Sequence, residues 1–543
     1  MNLATAQLYF HTLRSLRPAQ VFGRVWRRVH TVRPDLGPAP ARRELRGWRA
    51  PAAREASWLS ATRRRFLGVE RDVTSAADWN APEATKLWLY NLHYFDDLCA
   101  EGAASRAEWH NAGIARWIDE NPPGEGNGWE AYPLSLRVVN WIKWSLAGHP
   151  LGEVAEHSLA VQARYLRASL EHHLLGNHLF ANAKALVFAG LYFEGPEAEA
   201  WLAKGLALVA REVEEQVLLD GGHFERSPLY HSLFLEDLLD LQNLAAAGHG
   251  SLRGRWSGQP AQWRSTARRM RRWLTLMTHP DGELALFNDC AFGVAPSPDE
   301  LHGYARRIGL GPTPLPRTGV QLLPHSGYAR LETEDALALL DVGEIGPSYL
   351  PGHAHADTLG FELSLFGERA IVDSGTSLYE SSSERLRQRG TAAHNTVLVD
   401  GADSSEVWSS FRVARRAEPH GLEVDESQDE LTVRCSHDGY LRLPGRVIHS
   451  RRWTLGANTL EVDDRLDGAF QSAEAAFHLH PAVRILSPGR FVLPGGQPLS
   501  ATFAGGEPST APSTWHPRFG SSVPNTRVAV ALRERQLRST LRW

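Results

Sequence analysis

Residues 313–331 read TPLPRTGVQLLPHSGYARL, and the hydrophobic period of the chain changes across this stretch. Before it, from about Trp88 to Gly311, apolar residues recur at helical spacing, with short breaks rich in Gly, Pro or Asn. After it the period falls to two, in short runs separated by turn residues such as Phe366-Gly367-Glu368. The pattern predicts a helical domain followed by an antiparallel β-sandwich, joined by a Pro- and Gly-rich link.

The predicted elements divide the chain into three regions. The clearest helical segments are 134–146, 157–174, 179–193, 198–217, 229–247 and 263–278, and the clearest strands are 328–331, 336–341, 359–366, 370–373, 396–399, 431–435 and 460–462. Each helical segment carries an apolar stripe wide enough to pack on two neighbours. We therefore predict an N-terminal helical arm over 1–75, a helical array over 76–315 and an all-β domain over 316–543.

Composition limits the class of protein. The 543 residues are 43% hydrophobic and 22% charged, which is typical of a globular protein with two or more packed units. The 58 Lys and Arg against 62 Asp and Glu give a net charge of −4, so nucleic acid is not the expected partner. Arginines are concentrated between Arg14 and Arg71, either as a solvated surface or as one that meets a polyanion.

The sequence shows neither a membrane span, nor a secretory signal, nor a cysteine pattern that would stabilise the fold. No stretch reaches about 20 uninterrupted apolar residues, so no membrane span is predicted. The first 30 residues lack the residue order of a secretory signal, which predicts a cytoplasmic location. Three separated cysteines make neither a disulfide framework nor a thiolate cluster. The 24 His and 18 Trp are the unusual counts, and nothing in the sequence indicates the oligomeric state.

Two histidine-containing segments lie at predicted helix starts. In the first, Gly176 is predicted to end one helix and Asn177 to cap the next, which places His178 in the first helical turn. The helix dipole there favours the neutral imidazole, which accepts a proton. In the second, Ser227 as cap and Pro228 as first residue place Tyr230 in a first turn, where a phenol can act in acid–base catalysis. The alternatives are a simple cap, a surface His and a half-buried Tyr.

Two further segments lie at predicted strand ends. Gly352 to Asp357 reads GHAHAD, and Arg389 to Val397 reads RGTAAHNTV. Two His and one Asp from neighbouring strand ends form a nitrogen and oxygen donor set that suits Zn²⁺ with one open position. Hydrogen-bonded structural histidines are the alternative.

At these residues the sequence resembles the heparinase II/III family of polysaccharide lyases. The likeness is carried by GNHLF (176–180), DGGHFERSPLYH (220–231), GHAHADTLGFELSLFGERAIVDSG (352–375), RGTAAHNTVLVDG (389–401) and WHPRFG (515–520). It implies an N-terminal α/α toroid and a C-terminal β-sandwich, with an acidic polysaccharide bound between them. It also implies β-elimination, in which the C5 proton of a uronic acid is removed and the C4–O bond breaks.

The resemblance assigns roles to individual residues. Asn177 would neutralise the substrate carboxylate, His178 would act as base or share that neutralisation, Tyr230 would protonate the leaving oxygen or serve as both base and acid, and His353 would complete the cluster. His355, Asp373 and His394 match the metal site of the family, predicted to hold Zn²⁺ or another divalent ion. Glu225, Arg226 and His231 are expected to support the site. The N-terminal sequence resembles relatives associated with bacterial surface-polysaccharide synthesis, and the family also suggests a periplasmic alternative.

Sugar contacts are expected from residues 127–141. Trp129 and Tyr132 offer faces that stack on sugars, Arg137 pairs with carboxylates or sulfates, and Asn140 follows on the same segment. Trp141 and Trp144 are expected in the helix core. Two other functions remain open: a glycoside hydrolase with Glu225 and Asp220 as its carboxylate pair, and a non-catalytic polysaccharide-binding or assembly protein.

Overall fold

The computed structural model describes residues 3–248 and 251–543, with a helical N-terminal half and a β-rich C-terminal half. The helices are α1 Leu3–Leu13, α2 Pro18–Val29, α3 Lys86–Tyr94, α4 Ala107–Glu120, α5 Ala131–Leu146, α6 Glu153–Ala168, α7 Gly176–Tyr192, α8 Pro196–Gln216, α9 Pro228–Ala247, α10 Gln259–Leu276, α11 Pro298–Arg307 and α12 Ser383–Arg389. All six predicted helical segments are present. The predicted ends at 146 and 247 coincide with those of α5 and α9, whereas the segment predicted to run to 174 ends at Ala168.

The strands form antiparallel sheets. They are β1 Arg63–Phe66, β2 Val69–Asp72, β3 Gly319–Leu323, β4 Tyr328–Glu332, β5 Ala336–Asp341, β6 Phe361–Leu365, β7 Glu368–Ile371, β8 Val397–Val399, β9 Val407–Trp408, β10 Arg412–Val413, β11 Pro419–Glu426, β12 Leu431–His437, β13 Ile448–Leu455, β14 Thr459–Asp467, β15 Ala473–His478, β16 Arg484–Ser487, β17 Arg490–Val492, β18 Pro498–Ala504, β19 Gly506–Trp515, β20 Val523–Leu532 and β21 Gln536–Arg542. The three large sheets have the orders β3-β4-β5-β6-β7, β11-β12-β13-β14-β21-β18-β17-β16 and β19-β20-β15-β8.

Helix α7 is the centre of the helical domain and packs against α5, α6, α8 and α9. Its side chains are buried almost all round, as expected for a helix enclosed by others. Gly190 allows α8 to approach closely, because a Cβ atom there would lie 2.5 Å from the backbone nitrogen of Leu202. The dense packing fixes the start of α7, which forms part of the site described below.

The sheet β3–β7 joins the two domains. Strand β5 is buried along its whole length, because its side chains alternate between two apolar layers. Ala338 and Leu340 pack into the β-sandwich core, whereas Leu337 and Leu339 pack against Trp273 of α10. The helical and β domains therefore share a continuous apolar contact through β5, which fixes the position of one domain against the other.

The N-terminal region is helical only in α1 and α2. Residues 31–62 contain isolated bridges but no regular helix or strand, and β1 and β2 form a hairpin. The expectation of a helical arm over residues 1–75 is therefore corrected for residues 30–75, where Pro and Arg replace the helical period. Among the described residues, no helix combines the length and apolar character that crossing a bilayer requires.

Candidate active site

A cavity of about 1530 Å³ lies between the helical domain and the β-domain. Its wall includes all four side chains predicted to be catalytic, Asn177, His178, Tyr230 and His353. Three belong to the first turns of α7 and α9, and the fourth comes from the loop before β6. Two helix starts and one loop, far apart in sequence, thus meet at one surface.

The start of α7 has an unusual backbone. Leu175 and Gly176 both have positive φ angles, 64° and 53°, and the helix begins at Gly176. Leu175 therefore occupies the cap position, and the expectation that Asn177 is the cap is corrected. A Cβ atom on Gly176 would lie 2.4 Å from the side chain of Leu350 and 2.9 Å from the Glu225 carboxylate. Glycine here lets the β-domain loop approach Asn177 and His178, both of which lie in the first turn as predicted.

His178 is held by Glu171 and Tyr132. Its Nδ1 lies 3.2 Å from Glu171 Oε2, and because the carboxylate only accepts hydrogen bonds, the neutral imidazole carries its proton on Nδ1 and its lone pair on Nε2. The Tyr132 ring packs against the imidazole, with centroids 4.3 Å apart and the ring planes tilted by 35°. Burial alone would lower the pKa of His178, but the Glu171 carboxylate outweighs burial and raises that pKa above its ordinary value.

Helix α9 begins as predicted, with Tyr230 in its first turn. The Ser227 hydroxyl accepts a hydrogen bond from the Tyr230 backbone N–H at 3.4 Å, and Pro228 is the first helical residue. The phenol lies 3.0 Å from the Tyr379 hydroxyl across the cavity wall. Burial, with Tyr379 and Asp289 nearby, raises the pKa of Tyr230 well above its ordinary value. The phenol is therefore protonated at neutral pH.

His353 stacks on the Tyr230 ring, with centroids 3.8 Å apart. Its Nδ1 lies 3.0 Å from Asp289 Oδ2, and its backbone carbonyl accepts from the Asp289 N–H at 2.9 Å. The other Asp289 oxygen lies 2.9 Å from His355 Nε2. Arg385 donates to both oxygens of Asp289, at 2.5 and 2.7 Å. Asp289 is thus a buried anchor that fixes the orientation of His353 against Tyr230.

Glu225 also lines the cavity and is almost fully buried. Its carboxylate has no side-chain hydrogen-bond partner among the described residues; the backbone N–H of Asn177 is close, and His353 Nε2 lies 3.5 Å away. Burial raises the pKa of Glu225, against the opposing effect of His353. Asp220 has a different environment, because it accepts hydrogen bonds from the backbone of Gly222 and Ser326. Asp220 and Glu225 do not form the carboxylate pair that a hydrolase at this site was expected to use.

The residues expected to hold metal lie close together in the β-domain. Asp373 Oδ2 is 2.7 Å from His394 Nδ1, and the rings of His355 and His394 are 5.3 Å apart. The described residues contain no group of three or more His, Cys, Asp or Glu side chains already arranged around a metal position. His355 Nδ1 and His394 Nε2 are nevertheless buried and have no hydrogen-bond partner in the described structure. Two free imidazole nitrogens beside a carboxylate are donors of the type that Zn²⁺ prefers.

Some expected sugar contacts lie in the core instead. Trp129 is buried among the helices, and Arg137 donates to the carbonyl of Gly128 and the side chain of Gln162. Asn140 donates to the carbonyl oxygen at the end of α3. None of Trp129, Arg137 and Asn140 lines the large cavity, so their assignment to substrate is corrected. Tyr132 does line it, and Trp141 and Trp144 are buried as expected.

Arg226 and His231 also point away from the cavity. Arg226 donates to the Glu344 carbonyl and ties the helical domain to the β-domain. His231 is buried, lies 3.0 Å from the Met270 carbonyl and stacks on Trp273. Burial lowers the pKa of His231 to about 3, so it stays neutral. These two side chains support the domain packing, whereas Glu225 lies at the site itself.

Sequence reasoning missed four residues at the site: Glu171, Asp289, Tyr379 and Arg385. Glu171 carried a weak signal, because it precedes His178 by seven residues across a turn. The other three reach the cluster only through the fold, since Asp289 lies between α10 and α11 and Arg385 lies on α12. No local pattern links them to His353.

Two domain models of one protein family match the chain. The heparinase II/III N-terminus model matches residues 154–297, and the heparinase II/III-like C-terminal model matches residues 315–543. The chain belongs to the heparinase II/III family. Both matched regions contribute to the cavity, because Asn177, His178 and Tyr230 fall in the first and His353 in the second.

Similar proteins carry different names. A heparin-sulfate lyase of Bacteroides stercoris is 26% identical over 45% of this chain, and the match spans 38% of the relative's own length. The FtsZ-localized protein C of Caulobacter vibrioides is 28% identical over 79% of this chain and 75% of its own. The crystal structure of heparinase III superposes with a TM-score of 0.67 at 18% identity, covering 88% of this chain and 79% of that one. The structural likeness establishes the toroid and sandwich fold.

Proposed function

We propose that the protein is a polysaccharide lyase that cleaves a uronic-acid-containing acidic polysaccharide by β-elimination. The observation that carries the proposal is the convergence of Asn177, His178, Tyr230 and His353 on one cavity wall between the two domains. The family and the heparin-sulfate lyase relatives support the same class of substrate. The cavity is also large enough to hold several sugar rings.

The hydrogen bonds and pKa shifts of His178 and Tyr230 favour different catalytic roles for these two side chains. Glu171 orients His178 so that Nε2 holds a lone pair, and the carboxylate stabilises the imidazolium that forms when Nε2 takes a proton. Tyr230 is held protonated by its raised pKa. We therefore assign His178 as the base and Tyr230 as the acid.

The reaction then proceeds as follows. The Asn177 amide hydrogen-bonds the uronic carboxylate, which makes the adjacent C5–H more acidic. His178 takes the C5 proton, the C5–H electron pair forms the C4=C5 double bond, and the C4–O bond breaks. The departing oxygen takes the proton of Tyr230. The stacked and anchored ring of His353 keeps the phenol in place and stabilises the phenolate that results.

The test is incubation with a panel of acidic glycans, followed by the absorbance of the unsaturated uronide. Wild-type protein is expected to generate this absorbance on at least one glycan, and Tyr230→Phe to abolish it while leaving glycan binding intact. Tyr328→Phe is a matched control, because Tyr328 is buried and hydrogen-bonded outside the cavity. Binding without product from wild-type protein on every glycan would identify a non-catalytic binding protein and contradict the proposal.

We also propose that His355, Asp373 and His394 hold a divalent cation such as Zn²⁺. The two buried ring nitrogens without partners support this assignment. A bound cation would supply positive charge that fixes the β-domain side of the cavity. The test is elemental analysis of purified protein, together with the melting temperature before and after chelation. One equivalent of metal, lost in His394→Ala but kept in His449→Gln, is expected; absence of metal, or no change in His394→Ala, would contradict it.

A further inference from the structure

Helix α2, Pro18–Val29, carries a wide apolar surface that faces solvent. Five large apolar side chains are exposed on it: Val21, Phe22, Val25, Trp26 and Val29. Phe22 is 73% exposed, Trp26 60% and Val29 75%. At 3.6 residues per turn these positions form one continuous stripe across roughly 140° of the helix. Scattered exposed apolar residues are ordinary, but a stripe of five on one helix face indicates a binding surface.

The opposite face of α2 fixes the helix to the protein. Gln20 is buried and donates to the Tyr349 carbonyl at 3.1 Å. Gly23 lies so close to His173 that a Cβ atom would be 2.8 Å from its side chain. Arg27 lies 2.8 Å from the same imidazole. Because these residues share the docked face, the apolar stripe is held outward rather than folded back onto the protein.

The N-terminal segment that carries the stripe contributes only positive charge. Residues 1–34 contain six arginines, at positions 14, 17, 24, 27, 28 and 33, and no Asp or Glu. Arg24 and Arg28 follow one flank of the stripe, and no ion pair joins either of them to a described residue. Arg17, by contrast, pairs with Glu215 at the start of the helix. The exposed surface therefore combines aromatic and aliphatic side chains with unneutralised arginines.

We propose that α2 is an interfacial helix that lies on the surface of an anionic lipid bilayer. Phe22, Trp26 and the valines would enter the boundary between headgroups and acyl chains, while Arg24 and Arg28 pair with lipid phosphates. A solvated helix face would not expose five large apolar residues, and a stable protein partner for this stripe would have to supply carboxylates along the flank that carries Arg24 and Arg28. Gln20 and Arg24 also line the large cavity, so a membrane bound by α2 would lie next to this part of the cavity wall.

The experiment is flotation of the full chain with vesicles of phosphatidylglycerol and phosphatidylcholine, compared with vesicles of phosphatidylcholine alone. Wild-type protein is expected to float with the anionic vesicles only, and less as salt is added. The double variant Phe22→Ser/Trp26→Ser is expected to bind at least roughly tenfold more weakly, because both side chains lose apolar burial. Arg24→Gln/Arg28→Gln is expected to lose the preference for anionic lipid.

Leu219→Ser is the matched control, since Leu219 is 77% exposed elsewhere on the helical domain. It should float like the wild type. All variants should keep the melting temperature of the wild type, because the substituted side chains are exposed. Failure of wild-type protein to float, or equal flotation of Phe22→Ser/Trp26→Ser, would overturn the proposal. Conversion of a wild-type dimer to a monomer in that variant, without vesicle binding, would assign the stripe to a second copy of the chain.

Discussion

Removing the charge of Asp289 tests whether the site is organised around this carboxylate. Asp289→Asn keeps the size of the side chain but replaces an acceptor that serves Arg385, His353 and His355. Burial would raise the pKa of Asp289, but Arg385 and the two histidines hold it well below its ordinary value. The carboxylate is therefore charged at neutral pH, and its stabilising contribution would be lost only in strong acid.

The expected loss of stability in Asp289→Asn follows from the burial of the ion pair between Asp289 and Arg385. The side chains of Asp289 and Arg385 are both 0% exposed, so neutralising Asp289 leaves a buried guanidinium without a counter-charge. Breaking a buried pair in this way typically costs about 3–5 kcal/mol in the free energy of unfolding. Removing both charges in Asp289→Asn/Arg385→Gln is expected to cost less than the sum of the single changes, because neither charge is then stranded.

Urea denaturation at neutral pH measures these differences. Glu70→Gln is the surface control, since Glu70 pairs with Arg63 and Arg65 in an exposed hairpin, and it should change stability far less. A loss below about 1 kcal/mol for Asp289→Asn would refute the reasoning, because it falls short of the cost of a stranded buried charge. The reasoning would also be refuted if the loss of unfolding free energy in Asp289→Asn/Arg385→Gln equalled the sum of the losses in the two single variants.

Three further predictions separate the roles of Glu171, Tyr132 and Trp129. Glu171→Gln removes the carboxylate that raises the pKa of His178, so the acid limb of the kcat/KM profile should move to lower pH; an unmoved limb would mean that His178 does not titrate in catalysis. Tyr132→Ala should raise KM roughly two- to tenfold by removing the ring packed against His178. Trp129→Ala should instead lower the unfolding free energy by about 3–5 kcal/mol, because Trp129 is a core residue. Steady-state kinetics and urea denaturation of both variants check this pair, and exchanged effects would contradict the assignment.

Local signals predicted the parts of the site that depend on neighbours in sequence. Ser227 and Pro228 mark the start of α9, and that alone places Tyr230 in the first turn. The change of hydrophobic period near residue 315 likewise predicts where the helical array ends and the strands begin. These features follow from backbone preferences and amphipathic spacing, which act over a few residues.

The remaining features depend on contacts between distant segments. The sequence predicts that Arg137 pairs with a carboxylate or sulfate of the substrate, yet the carbonyl groups of His93 and Gly128 accept its hydrogen bonds inside the core. Leu175 takes the cap position of α7 with a positive φ angle that its side chain does not favour. Asp289 meets His353 only after both domains have packed together. Such contacts leave no local pattern in the sequence.

The source of the oxygen at the cleaved bond tests the central claim most directly. A glycan that the protein degrades is incubated in water enriched in heavy oxygen, and the products are weighed by mass spectrometry. Elimination through His178 and Tyr230 breaks the C4–O bond without water, so the masses of the two products should add up to that of the substrate, with no heavy oxygen. One heavy oxygen per cleaved bond, with no double bond in either product, would show hydrolysis and contradict the account.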